Sequence, residues 1–530
     1  FENVERKVIM ELKVGLLGDS NNARYNSVGW EGLLRQIGVS YEVLSAVDAK
    51  NIFDFPVCIL TDNINQRQVN ESREFIQQGG NVLCSTDVLT KISKVQTSTA
   101  KVNYLVPDET GIFPDTDIID IDRNVNITEG SNHLRSNHGQ FAVYRGEMGK
   151  GNIIAFPFDV ESLILDMRSK KKSFYAHGKR LPYETVSAVS KGGLRRLTLN
   201  SLEYLFHSKN LPFVHLWYFP KDSKSIFSFR IDTDKGKREQ IESLYQLSLK
   251  HEIPFTWFED AMSQKDWADA FAKMTDQEIG IHCYEHKVYD SYAENYKNIR
   301  KALDVLKVGG INPKGFASPF GKWNSSLAQA IRDHNFKYSS EFAYDYDNLP
   351  SNTLLFDNPT SVLQIPIHPI CIGSLRRQGF SEDEMMQYFR YQVDKKLFLN
   401  EPIIFYHHPT HNHLEVIENI LNYVKDKNVP AMRMADYADW WKKRNEIKTN
   451  MSFNDNCLKV RGEYLPDDVY FRVTTSDGRE ALVQVSESID LSRIQFREKP
   501  LAMVPPKDIS RIRKFNKWML INKIEDYFHG

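Results

Sequence analysis

Three short segments of this 530-residue chain place carboxylates and imidazoles at spacings suited to hydrolytic chemistry. The first is Phe229-Arg230-Ile231-Asp232-Thr233-Asp234. Side chains alternate along a strand, so Asp232 and Asp234 point to one side. Two adjacent carboxylates repel unless a cation sits between them or one is protonated. Alone, such a pair is more often a solvated strand end or a helix cap. The second segment is Ile281-His282-Cys283-Tyr284-Glu285-His286. Imidazoles at i and i+4 share one face of a helical turn and can grip one metal ion, which leaves Glu285 off that face. Surface helices also carry such pairs by chance. The third is Phe405-Tyr406-His407-His408-Pro409-Thr410-His411. A histidine at a strand end, followed by proline, suits a proton donor on a rigid turn. The bland alternative is a pair of core or capping histidines.

The elements around these segments give them their weight. From 221 to 445, short apolar strands alternate with helices. Strands are expected at 226–229, 254–258, 278–281, 315–317, 362–365, 402–406 and 431–434. Seven strands with intervening helices predict a distorted (β/α)7 barrel, whose chemistry sits at the C-terminal strand ends. All three segments fall there, after separate strands. From 8 to 220, strands at 14–17, 41–44, 57–60 and 81–84 alternate with helices, as in a parallel α/β domain. Leu181 to Leu197 reads as a helix-rich bridge. From 450 to 530, a hairpin with its turn at Ser476-Asp477-Gly478-Arg479 predicts a small β-domain. An amphipathic helix carrying Ile512, Phe515, Trp518, Met519 and Ile521 is expected to end the chain.

The 221–445 region resembles the polysaccharide deacetylase family, carbohydrate esterases that remove N-acetyl or O-acetyl groups from sugars. The resemblance implies that Asp232 is the base and that Asp234, His282 and His286 bind a divalent metal. His408 would be the catalytic acid, with His407 as the alternative. The next family motif, R-x-P-x-G, here reads Ala317-Ser318-Pro319-Phe320-Gly321, so the arginine that tethers the base is missing. Arg230 lies two residues before Asp232 on the same strand face and can take over that role. Met432 to Trp441 looks like the family's closing strand and helix. Zinc is the default metal, with Co2+, Ni2+ or Fe2+ fitting the same donors. The implied reaction activates a water at the metal, with Asp232 taking its proton and His408 protonating the leaving amine. A backbone N–H near Tyr284 or Phe320 would help hold the oxyanion. Tyr284, Pro319, Phe320 and Trp323 are the candidate substrate contacts. Trp257 and Tyr344 could also stack on sugar, although core packing is the commoner use of such residues.

The 8–220 region resembles the class I glutamine amidotransferase-like fold. Cys84 follows a strand but lacks the G-x-C-x-G elbow, and Cys58 lies inside one, so no nucleophile is expected there. Lys plus Arg is 68 against 69 for Asp plus Glu, which gives no nucleic-acid footprint. Five scattered cysteines without a C-x-x-C pair argue against a disulfide framework. They favour a reducing compartment slightly, with periplasm or cell envelope left open. No apolar run approaches the roughly 20 residues that span a bilayer. A homo-oligomer is left open. The function expected is a bacterial-glycan deacetylase. The alternatives are an amidohydrolase acting on a non-sugar C–N bond and a glycan-binding protein with a degenerate barrel.

Overall fold

A computed structural model describes residues 10–18, 27–44, 51–107, 112–113, 117–177, 180–500, 506, 509–514 and 521. The chain divides into two compact units. One comprises 167–192, 223–441 and 505–530, and the other comprises 1–166, 193–222 and 442–504.

The unit carrying the three segments begins with a hairpin, β1 (Ser169–Ser173) and β2 (Tyr183–Ser187). Its main sheet contains β3 (Phe227–Asp232), β4 (Phe255–Glu259), β5 (Glu278–Ile281), β6 (Gly315–Phe316) and β7 (Tyr338–Ser339). It continues with β8 (Ser351–Leu355), β9 (Asn358–Gln364) and β10 (Ile403–His407). The strand order is β8-β9-β7-β6-β5-β4-β3-β10, parallel throughout except for the β8–β9 hairpin. Two strands escaped the sequence reading. β7 spans only two residues, too short for a period, and β8 is joined to β9 through Phe356 and Asp357, both at positive φ.

The expected closing strand at 431–434 is corrected. Ala431 makes a single bridge to Phe227, and helix α7 (Met434–Glu446) starts at once. Its first N–H groups turn to side chains instead of a ladder: Met434 N donates to Thr256 Oγ1 and Ala435 N to Glu278 Oε2. Among the described residues the sheet is therefore open rather than a closed barrel.

Alternation sorts the sheet's two faces. Phe227, Phe229 and Ile231 join Phe255, Trp257, Ile403 and Phe405 in a core covered by α1 (Arg238–His251), α5 (Glu382–Phe398) and α6 (Leu414–Asp426). A second core packs Ile281 and Phe316 under α2 (Tyr292–Val308) and α3 (Ser325–Asp333). A short helix, α4 (Ile372–Arg377), follows β9. The opposite face receives Ser228, Arg230 and Asp232, all buried. Polar groups on a buried face must satisfy one another, so this face is where the chemistry concentrates.

In the other unit, strands at 41–44, 14–17, 57–60, 81–85 and 151–156 are parallel, and four antiparallel strands extend the sheet. Cys58 and Cys84 are buried in it, and burial pushes both thiols up. The strands of the 450–498 stretch do not form sheets of their own. One sheet takes in 10–11, and another takes in 213–216. The bridge expected to be helix-rich holds strand β2 before its helix at Lys191–His207. Of the expected terminal helix, Ile512 lies in a 3-10 turn at Ile509–Arg513, whereas Phe515, Trp518 and Met519 lie outside the described residues.

Candidate active site and metal centre

β3 ends in the acid pair. Arg230 is fully buried and Asp232 is 3% exposed. The Arg230 Nε donates to Asp232 Oδ1 at 2.6 Å, and Nη2 donates to Oδ2 at 2.7 Å. Arg230 Nη1 donates to the Ser340 carbonyl at 2.7 Å and to its hydroxyl at 3.1 Å. This bidentate pair fixes the carboxylate in one plane. Two residues on, Asp234 leaves the strand and faces the histidines.

His282 and His286 do not lie on a helical turn, which corrects the sequence reading. Cys283, between them, is at φ 70, a left-handed conformation costly for a side chain with Cβ. The turn is pinned from both sides. His282 N donates to the Glu259 carbonyl at 2.8 Å. Asn298 Oδ1 accepts from Glu285 N at 2.7 Å, and its Nδ2 donates to Glu285 O at 3.0 Å. The strained turn brings both Nε2 atoms to one point: they lie 3.2 Å apart, at 3.0 Å (His282) and 3.2 Å (His286) from Asp234 Oδ1.

These spacings fit a metal ion. Ligand atoms about 2.1 Å from a common centre stand roughly 3.0 Å apart at octahedral edges and roughly 3.4 Å apart at tetrahedral ones. A carboxylate oxygen and two imidazole nitrogens are also a borderline donor set for a divalent transition metal. The electrostatics agree. Burial opposes charge on Asp234, but the imidazoles of His282, His286 and His408 hold its carboxyl well below the usual range. Burial likewise opposes protonation of His282, yet Asp234 raises it.

Alternation also separates the two late histidines. In β10, Phe405 and His407 point to the helix-covered core. There His407 is fully buried with neither ring nitrogen partnered, and desolvation drives its basicity well down. It stacks on Phe229. Tyr406 and His408 take the other face. His408 Nε2 lies 3.3 Å from Asp234 Oδ2, and Asp234 raises its basicity well above normal against the pull of burial.

Asp232, Asp234, His282 and His408 line a cavity of about 680 Å3. Phe320 lines it too, 63% exposed, at positive φ and edge-on to His286 with ring centroids 4.9 Å apart. The other expected substrate contacts are placed elsewhere. Tyr284 lies under the Lys301 ammonium, Pro319 is buried, and Trp323 packs on Tyr344. None of these three is among the cavity-lining residues. Trp257 and Tyr344 are buried.

Residues 227–339 match the family model for polysaccharide deacetylase. His408 lies beyond the matched stretch. Solved structures similar to the chain include a putative polysaccharide deacetylase from Mycobacterium smegmatis, 14% identical over 43% of this chain and 93% of that one, TM-score 0.37. Another is a probable polysaccharide deacetylase from Pseudomonas aeruginosa PAO1, 18% identical over 42% and 92%, TM-score 0.37. A third is the Puue allantoinase, 20% identical over 43% and 93%, TM-score 0.36. No curated protein matches the sequence. Within the deacetylase-like stretch, the position where the family motif has arginine is Ala317, which is buried. The guanidinium that pairs with Asp232 is that of Arg230.

Several cavity residues were missed in the sequence. Lys171, Tyr183, Glu184 and Thr185 arrive on the β1–β2 hairpin, and Cys371, Arg377 and His411 arrive around α4 and after β10. Burial pushes the Glu184 carboxyl up to about 7. Although burial opposes it, His408 and His411 hold the Cys371 thiol well below its usual range. Their segments carry no spacing rule, and only the fold brings them together. No helix among the described residues is long and apolar enough to cross a membrane.

Proposed function

We propose that this chain is a metal-dependent hydrolase that removes acetyl groups from N-acetylated sugars of a bacterial glycan. The observation that carries the reading is the Arg230–Asp232 clamp beside the Asp234, His282 and His286 cluster, all at or just beyond strand ends within the stretch matched by the deacetylase model. Asp234, His282 and His286 hold the metal. A divalent ion in that donor set, zinc by its chemistry with Co2+, Ni2+ or Fe2+ as substitutes, supplies Lewis acidity toward a carbonyl oxygen and toward water.

Asp232 is the base. Both its oxygens accept from Arg230, but a carboxylate has about four lone-pair sites, so it keeps room for the proton of the attacking water. Arg230 aims that carboxylate through two parallel hydrogen bonds. His408, lining the same cavity, delivers a proton from Nε2 to the leaving amine nitrogen. Phe320 presents an exposed ring at the cavity for the face of a sugar. The products are acetate and a free amino sugar.

The test is release of acetate and free amine from N-acetylated oligosaccharides. Release should stop with a strong chelator, return with zinc, and be abolished in Asp232→Asn while bound metal is kept. A metal-loaded chain that releases no acetate from any N-acetylated sugar would remove sugars as the substrate.

A further inference from the structure

On the far side of His408 lies a second group of metal-ligating side chains. Cys371 Sγ and one ring nitrogen each of His408 and His411 lie within 4.8 Å of one another. His408 Nε2 is turned to Asp234, so Nδ1 is the nitrogen left for this group. That Nδ1 and His411 Nδ1 are both buried atoms without a hydrogen-bond partner. Buried imidazole nitrogens beside a thiol are satisfied either by its proton or by an ion that all three groups ligate. Cys371 is 2% exposed, with the Ser374 hydroxyl 3.5 Å away.

The backbone makes room for this arrangement. A Cβ built on Gly373 would fall 2.1 Å from His411 Cε1 and 2.3 Å from its Nδ1. Only glycine at that position, two residues after Cys371, lets the imidazole approach the sulfur. The three residues come from separate places, the start of α4 and the turn after β10. All three line the cavity.

We propose that Cys371, His408 through Nδ1, and His411 form a second site for a divalent transition metal, beside the Asp234 centre. One thiolate and two imidazoles favour zinc among ordinary cellular ions, with a remaining coordination position open to the cavity. Closing the three ligands onto an ion takes roughly 1 Å of side-chain movement, since their metal distances are about 2.0–2.3 Å. Asp234 stands between the centres, Oδ1 toward His282 and His286 and Oδ2 toward His408. Ligation at Nδ1 fixes His408 as the neutral tautomer protonated on Nε2, the atom that faces Asp234 Oδ2. The site stands on its own geometry and does not require that the substrate be a sugar.

The test is titration of the metal-stripped full chain with cobalt(II), following sulfur-to-cobalt charge-transfer absorption and ions bound per chain. Expected are about two ions and a thiolate band. Cys371→Ser should lose the band and bind about one ion, whereas His282→Ala should keep the band. His411→Ala should weaken the band-forming ion at least about tenfold, and it serves if Cys371→Ser does not fold. Absence of the band, or a band that persists in Cys371→Ser, as ligation by Cys283 would give, overturns the proposal. Two ions and a band in the wild type, with His282→Ala binding as the wild type does, would leave this site standing and bring down the Asp234 centre.

Discussion

Replacing Arg230 by methionine separates the structural and catalytic demands on the base. The arginine is fully buried and makes four hydrogen bonds, two of them the clamp on Asp232. Removing it strands a carboxylate only 3% exposed. Breaking a buried pair in this way costs about 3–5 kcal/mol, because the surviving charge is left without its partner. At about 2–4 °C per kcal/mol for a unit of this size, melting should fall by on the order of 10 °C. Acetate release should fall about a hundredfold or more, the usual worth of a positioned base. Arg230→Met/Asp232→Leu removes the stranded charge and should recover most of the stability but none of the activity. Arg300→Ala is the control: its pair with Asp304 is exposed on both sides, worth at most about 1 kcal/mol. Differential scanning fluorimetry and an acetate assay on the four proteins decide the matter. An Arg230→Met protein that melts within about 1 °C of the wild type, or turns over normally, refutes the reasoning.

Two further perturbations follow from burial. Glu259, at the end of β4, is 0% exposed with neither carboxylate oxygen partnered among the described residues, and burial, then Asp260, raises it to about 8. Unfolded, it ionises near pH 4.3, so unfolding releases a proton between the two values. Stability should therefore fall as pH rises from about 4 to 8, and Glu259→Gln in metal-stripped protein should stabilise by several kcal/mol, on the order of 3–5, at pH 9 and little at pH 4. Equal effects at both pH values would contradict the assignment. Phe320→Ala should raise KM about tenfold, roughly 1.4 kcal/mol, and shift stability by less than about 0.5 kcal/mol. Trp323→Ala, half-buried on Tyr344, should do the reverse, costing about 1–3 kcal/mol of stability with KM unmoved. Exchange of the two phenotypes would move the sugar contact to Trp323.

The acid pair, the histidine pair and the strand-helix alternation were legible because each is a local pattern. The strands at Val14–Leu17, Val57–Leu60 and Glu278–Ile281 fell where period and turn residues placed them. Which of His407 and His408 reaches the cavity follows from strand register, which the sequence alone does not give. The parity of Phe405 and His407 matches that of Phe229 and Ile231, their partners across the sheet, so His407 had to face the helices. The turn at Cys283 was not legible, since a left-handed non-glycine residue breaks local preference and persists only because Glu259 and Asn298 hold its flanks. Nor was the missing closing strand, because the capping of α7 by Thr256 and Glu278 spans more than 150 residues. The same long-range logic hid Glu184 and Cys371. The sheets that join 450–498 to strands at 10–11 and 213–216 rest on pairings no local pattern encodes.

The most direct measurement is zinc content and acetate release, compared between the wild type, His282→Ala and Asp232→Asn. Expected is bound zinc with acetate release in the wild type, loss of the Asp234-centre ion and of release in His282→Ala, and loss of release with zinc unchanged in Asp232→Asn. Acetate release that survives in His282→Ala would contradict the central claim that Asp234, His282 and His286 hold the ion on which hydrolysis depends.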